Sequence, residues 1–115
     1  MVELTRQLLK TREDATSQVL LNLAQQNINK TAHVFIAIRF LSSGSPVTPS
    51  AGTYDITVQP EGIESFIAIT DGTAIDATVA PALLSYTANA QGLAYDPSGI
   101  TGADEVEITV TGNYA

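Results

Sequence analysis

TAHVFIAIRFL, residues 31–41, alternates as a β-strand does, with Val34, Ile36, Ile38 and Phe40 on one face. The other face carries His33, Phe35, Ala37 and Arg39 and is only partly polar. The same period of two recurs downstream. GTYDITVQ (52–59) turns Tyr54, Ile56 and Val58 one way and Thr53, Asp55 and Thr57 the other, until Pro60 and Gly62 end it. ESFIAIT (64–70) closes at Asp71-Gly72, a turn dipeptide that accommodates positive φ. TAIDATV (73–79) and ALLSYTA (82–88) are separated by Pro81, and LAYDP (93–97) stops at Pro97. EVEITVT (105–111) sets Val106, Ile108 and Val110 against Glu105, Glu107, Thr109 and Thr111. SSGSPVTPSAG (42–52), with two Pro, two Gly and four Ser, reads as a loop. Seven to eight strands with such turn signals predict a mainly β fold, an antiparallel β-sandwich over residues 31–115 with one solvated face per sheet. No amphipathic segment recurs between the strands as a parallel sheet would need, and no fixed-period repeat is present.

Upstream the grammar changes. All eight Gly and all five Pro fall at or after position 44. Residues 2–11 predict a short helix, with Val2, Leu4, Leu8 and Leu9 on one broad face and Arg6 and Lys10 opposite. Arg12 then interrupts the apolar face. A helix of that length is marginal alone and must pack on something. TSQVLLNLA (16–24) fits a helix through Val19, Leu20, Leu23 and Ala24, or a strand through Val19, Leu21 and Leu23. The β sequence that follows favours the strand, with QQNINK (25–30) as the connection. The expected organisation is an N-terminal arm over 1–30 and a β-sandwich over 31–115.

Charge divides near the same point. Up to Arg39 there are five basic residues and three acids; from Phe40 onward there are nine acids and no Lys or Arg. The chain has 115 residues, 44% hydrophobic and 15% charged, with a net charge of −7. That hydrophobicity excludes a disordered acidic tail. The absence of Cys excludes a disulfide scaffold, a thiol nucleophile and cysteine-ligated metals. A pI near 4.3 argues against nucleic acid as a partner. No apolar run approaches the roughly 18 residues of a membrane span. MVELTRQLLKTRED has no signal-peptide core, so synthesis in a cytoplasm is expected.

The sequence offers little reaction chemistry. His33 is the only histidine and lies in a strand beside Val34 and Phe35, without the context of a nucleophile elbow. The acid pairs a glycosidase would use are Glu61 with Glu64, Asp71 with Asp76, and the Asp104, Glu105, Glu107 group. Glu105 and Glu107 share a strand face, and solvation explains them. Asp71, Asp76 and Asp96 could offer oxygen ligands to Ca²⁺, but the EF-hand spacing is absent. No phosphate-cradling Gly motif occurs, and Asn29-Lys30-Thr31 matches a glycosylation sequon by letter only. No cofactor, metal or catalytic residue is assigned.

SPVTPSAGTYDITVQ (45–59) runs a Pro-Thr-Pro loop through Ala-Gly-Thr into an alternating strand. AYDPSGITGADEVEITVTGNYA (94–115) leads an Asp-Pro-Ser-Gly turn into a last strand. Residues 31–115 resemble the small β-sandwich structural proteins of tailed bacteriophages, of the head-decoration and fibre types. The resemblance implies a non-enzymatic virion component that binds neighbouring capsid or tail subunits; a homo-oligomer is expected, and neither nucleic acid nor membrane is expected as a partner. A decoration or cement protein is the leading expectation. The alternative is a receptor- or carbohydrate-binding module of a tail fibre, which a rim of Tyr54, Tyr86, Tyr95 and Tyr114 would favour. Partner binding is expected of Leu4, Arg6, Leu8, Lys10 and Arg12, because exposed leucines beside cations suit an acidic neighbour. On that reading residues 1–14 serve assembly, and the sandwich folds without them.

Overall fold

The computed structural model describes residues 6–26, 28, 33–79 and 81–113. Among them ten strands form two antiparallel sheets: β1 Arg6–Asp14, β2 Val19–Asn22, β3 His33–Ser42, β4 Ser45–Val47, β5 Ala51–Pro60, β6 Ile67–Ala68, β7 Ile75–Asp76, β8 Ala82–Tyr86, β9 Ala90–Thr101 and β10 Glu105–Asn113. The first sheet runs β1-β10-β3, and β4 and β8 share the far edge of β3. The second runs β2-β9-β5, with β6 and β7 sharing the far edge of β5. The alternation read from the sequence sets the core. Val34, Ile36, Ile38 and Phe40 of β3 and Val106, Ile108 and Val110 of β10 are buried against Tyr54, Ile56 and Val58 of β5 and Leu93 and Tyr95 of β9. Phe40, Tyr54 and Tyr95 meet as an aromatic cluster with ring centroids 5.4 to 6.4 Å apart. The Tyr95 hydroxyl donates to the Ala15 carbonyl at 2.7 Å, which satisfies it inside the core.

The helix expected over residues 2–11 does not form where the chain is described. Arg6–Asp14 is a strand, matched residue for residue to β10 from Arg6↔Asn113 to Asp14↔Glu105. The reason is tertiary: a ten-residue helix gains little by itself, whereas a strand here closes the open edge of β10 and tucks Leu9 against the core. Met1, Val2 and Leu4 lie outside the described residues. The strand expected within 16–24 is present as β2 and pairs with β9, after which Leu23–Gln26 makes a 3-10 turn. The arm over 1–30 is therefore built into both sheets where it is described, through β1 in one and β2 in the other.

Two turns follow their side-chain chemistry. The stretch read as a loop over 42–52 starts as a hairpin in which Ser43 and Gly44, at φ 51° and 82°, join β3 to β4. Positive φ at both central residues matches the twist of the flanking strands. Gly52, at φ 114°, sits where the β5–β9 register slips; a Cβ there would lie 2.6 Å from the Ile100 Cα. Pro97, expected to end its strand, is accommodated because β9 has by then run past β2, whose register stops at Tyr95.

Candidate functional site

The outer face of the first sheet gathers Lys10, Arg12 and Arg39 into ordered rows. Cross-strand register places Leu8, Thr111, Phe35 and Ser85 in one row and Lys10, Thr109, Ala37 and Leu83 in the next. Arg12, Glu107 and Arg39 form a third across β1, β10 and β3. Each row stands two residues further along the strands, so the rows are about 7 Å apart. Leu8, Phe35 and Leu83 are exposed on this face, Leu83 to 82%. A shallow groove of about 170 Å³ lies along Phe35 and Leu83, walled by Ala37, Thr109 and Thr111. His33 stacks on Phe35 with ring centroids 4.3 Å apart, which fixes the outward ring in place.

Glu107 ties the third row together. Its side chain points outward, opposite Val106 and Ile108, yet the residue is only 3% exposed. Solvation is therefore not its environment, contrary to the expectation from its strand face. Arg39 Nε donates to one carboxylate oxygen at 2.6 Å and Arg12 Nε to the other at 3.1 Å. Lys10 Nζ stands 3.8 Å away. The carboxylate lies just under the surface, roofed by the side chains that pair with it. The Arg39 hydrogen bond first, and then that of Arg12, hold its carboxyl below the usual carboxylate range against the cost of burial. Three cations around one carboxylate leave two positive charges on the surface. One row further along, Asp14 and Glu105 face each other at the end of the sheet.

The expected partner-binding residues meet this face unevenly. Leu8, Lys10 and Arg12 stand together on it, at the period of two of a strand. Leu4 lies outside the described residues, and for Arg6 the backbone alone is described. Phe35, Arg39, Leu83 and Glu107 were missed as site residues. Their signal was the half-apolar second face of TAHVFIAIRFL, whose neighbours are set by strand register. The tyrosine rim does not form: Tyr54 and Tyr95 are core residues, Tyr86 is half-buried, and Tyr114 lies outside the described residues. Burial pushes the Tyr54 hydroxyl up to about 12 and raises that of Tyr95 further.

Elsewhere, a groove of about 370 Å³ opens between β4 and β7, floored by Phe40 and Tyr54 and rimmed by Pro46, Pro49 and Pro81. Among the described residues no three His, Asp or Glu side chains converge as metal ligands would. Among them, too, no helix is long and apolar enough to cross a membrane.

Residues 8–115 match a family model described as a domain of unknown function, DUF7265. The chain belongs to that family. None of the curated proteins matches it. Among solved structures, the crystal structure of the SPBc2 prophage-derived protein YomS has the same fold, with a TM-score of 0.60 at 10% identity over 98% of this chain and 96% of that one. Subunits of the Bacillus endospore appendages, a family of disulfide-linked pili, align at a TM-score of 0.48 and 15% identity over 97% and 89%. The cyanophage Pam1 capsid asymmetric unit aligns at 0.39 and 12% over 97% and 85%. The likeness to YomS establishes the two-sheet fold. The other two are too distant to carry an argument.

Proposed function

We propose that this protein is a non-enzymatic structural subunit of a tailed-phage virion, a capsid decoration or cement protein that holds neighbouring capsid or tail subunits. The observation that carries the reading is the outer face of the first sheet. It presents exposed Leu8, Phe35 and Leu83 in rows that adjoin or include those of Lys10, Arg12 and Arg39, on paired strands. An apolar patch rimmed by charge is the anatomy of a protein-binding surface. The phage-protein resemblance of residues 31–115 and the prophage origin of YomS support the setting.

Recruitment then works through β1 as part of the face, not through a detached arm. Leu8, Lys10 and Arg12 would meet an acidic, partly apolar patch on the neighbour, and the charges would speed encounter. The test is quantitative mass spectrometry of purified particles. Cement predicts copies comparable in number to the major capsid protein, and a fibre-tip module predicts only a few. A chain absent from particles sinks the reading. Lys10→Glu with Leu83→Asp should leave the fold intact and cut incorporation.

A further inference from the structure

We propose that the occupant of this face is a second copy of the same chain, docked head to tail so that the first sheet of one molecule lies on the second sheet of the next. This rests on the reading that the protein works by binding neighbours, and it names the neighbour and the neighbour's face.

The second sheet supplies what the first lacks. None of its strands contains a Lys or Arg. On its outer face Asp55 of β5 and Asp96 of β9 stand directly opposite one another. Like charges in register on adjacent strands repel, and here their hydrogen bonds come from neutral groups, the Ala74 amide and the Gln18 side chain. A guanidinium or ammonium from outside would relieve that repulsion. The first sheet holds the opposite imbalance, three cations around Glu107.

The apolar parts match as well. Leu20 of β2 projects from the second face with 62% exposure, and Phe66 lines a broad recess beside it with Gln59. Leu20 lies opposite Ala94, two residues from the Asp55–Asp96 row. Leu83 lies opposite Ala37, two residues from Arg39 on the other face. Both faces thus set an exposed leucine about 7 Å from a charged row, with opposite signs in the two charged rows. The Asp14–Glu105 row limits the offset, because sliding the next copy that way brings carboxylates onto carboxylates. Since the two faces differ, the contact is heterologous and each copy keeps one face free for another.

Sedimentation velocity on the full chain tests this. The wild type should exceed its monomer mass of 12.1 kDa in a concentration-dependent way at about 0.01 M salt and approach it near 1 M, as the screening length falls from about 30 to 3 Å. One variant, Lys10→Glu with Leu83→Asp, breaks the first face; another, Leu20→Lys with Asp96→Lys, breaks the second. All four positions are on the surface, and unchanged melting of each variant verifies its fold. Each variant alone should self-associate about tenfold or more weakly. An equimolar mixture should regain association, because the intact first face of one variant meets the intact second face of the other. A wild type that stays monomeric at every salt and concentration overturns the proposal. So does a two-fold dimer, recognised because the second-face variant still dimerises while the mixture gains nothing. A monomeric chain abundant in particles would overturn the self-docking alone and leave the virion role standing. A self-associating chain absent from particles would do the reverse.

Discussion

Glu107→Gln removes the charge that three cations share while keeping the side chain's size. Two charge-assisted hydrogen bonds end on that carboxylate, and such bonds contribute roughly 1.5–3 kcal/mol each when well formed. The full sum does not apply, because the Arg12 and Arg39 side chains are 48% and 41% exposed and regain water once released. Discounting towards the surface scale leaves a loss of about 2–3 kcal/mol. In a chain of this size that lowers the melting temperature by about 8–12 °C. Lys10→Ala, at 3.8 Å and with half its side chain in water, should cost less than about 0.5 kcal/mol. The pH dependence carries a definite sign. Arg39 and Arg12 depress the folded pKa of Glu107, so its contribution is complete above the unfolded value of about 4.3 and disappears as pH falls through the folded value. Thermal melts of wild type and Glu107→Gln should differ at pH 7 and converge in acid. Equal melting at pH 7, or a difference that survives unchanged in strong acid, would refute the assignment.

Three further outcomes are expected. Tyr95→Phe removes the donor to the Ala15 carbonyl and should cost about 1–2 kcal/mol in denaturant titrations, with little change in m-value. Alkali should weaken the fold from pH 10 upward, because Tyr54 keeps its proton to about 12 when folded and loses it near 10 when unfolded; phenolate absorbance at 295 nm should rise together with unfolding. Deleting residues 1–14 strips β1 and Arg12 from β10 and should leave a chain that melts far below the full protein or aggregates, as circular dichroism and light scattering would show. A truncated chain of native stability would return residues 1–14 to the role of a separable arm.

The sandwich was legible because alternation specifies a strand's buried face without knowledge of its partner. Val34 to Phe40, Tyr54 to Val58 and Val106 to Val110 all turned inward as their period requires. The helix misread at the N-terminus has the opposite cause. Leu8-Leu9-Lys10 is too short a run for either period to dominate, and pairing along β10 decided it. Glu107 was illegible for the same kind of reason. Its burial comes from Arg12, ninety-five residues away, and Arg39, sixty-eight residues away, and strand register alone brings them together. The cations of the face were visible in the sequence; that they share one carboxylate was not.

The position of β1 suits its charges to two jobs, the second of them the docking proposed above. Among the described residues its outer edge pairs with no other strand, and an unpaired edge nine residues long invites uncontrolled strand addition. Lys10, Arg12, Glu13 and Asp14 along that edge make such addition costly, since a like strand arriving edge-on would bring charge against charge without water. Face-on approach meets no such penalty: there Lys10 and Arg12 point at the incoming surface, with Leu8 and Leu83 beside them. Glu107 neutralises enough of the cluster to let two arginines and a lysine stand together on one sheet, yet leaves an excess for a partner to satisfy. Removing Glu107 should therefore weaken the fold and at the same time make the face more positive, so stability and docking should respond to that substitution in opposite directions.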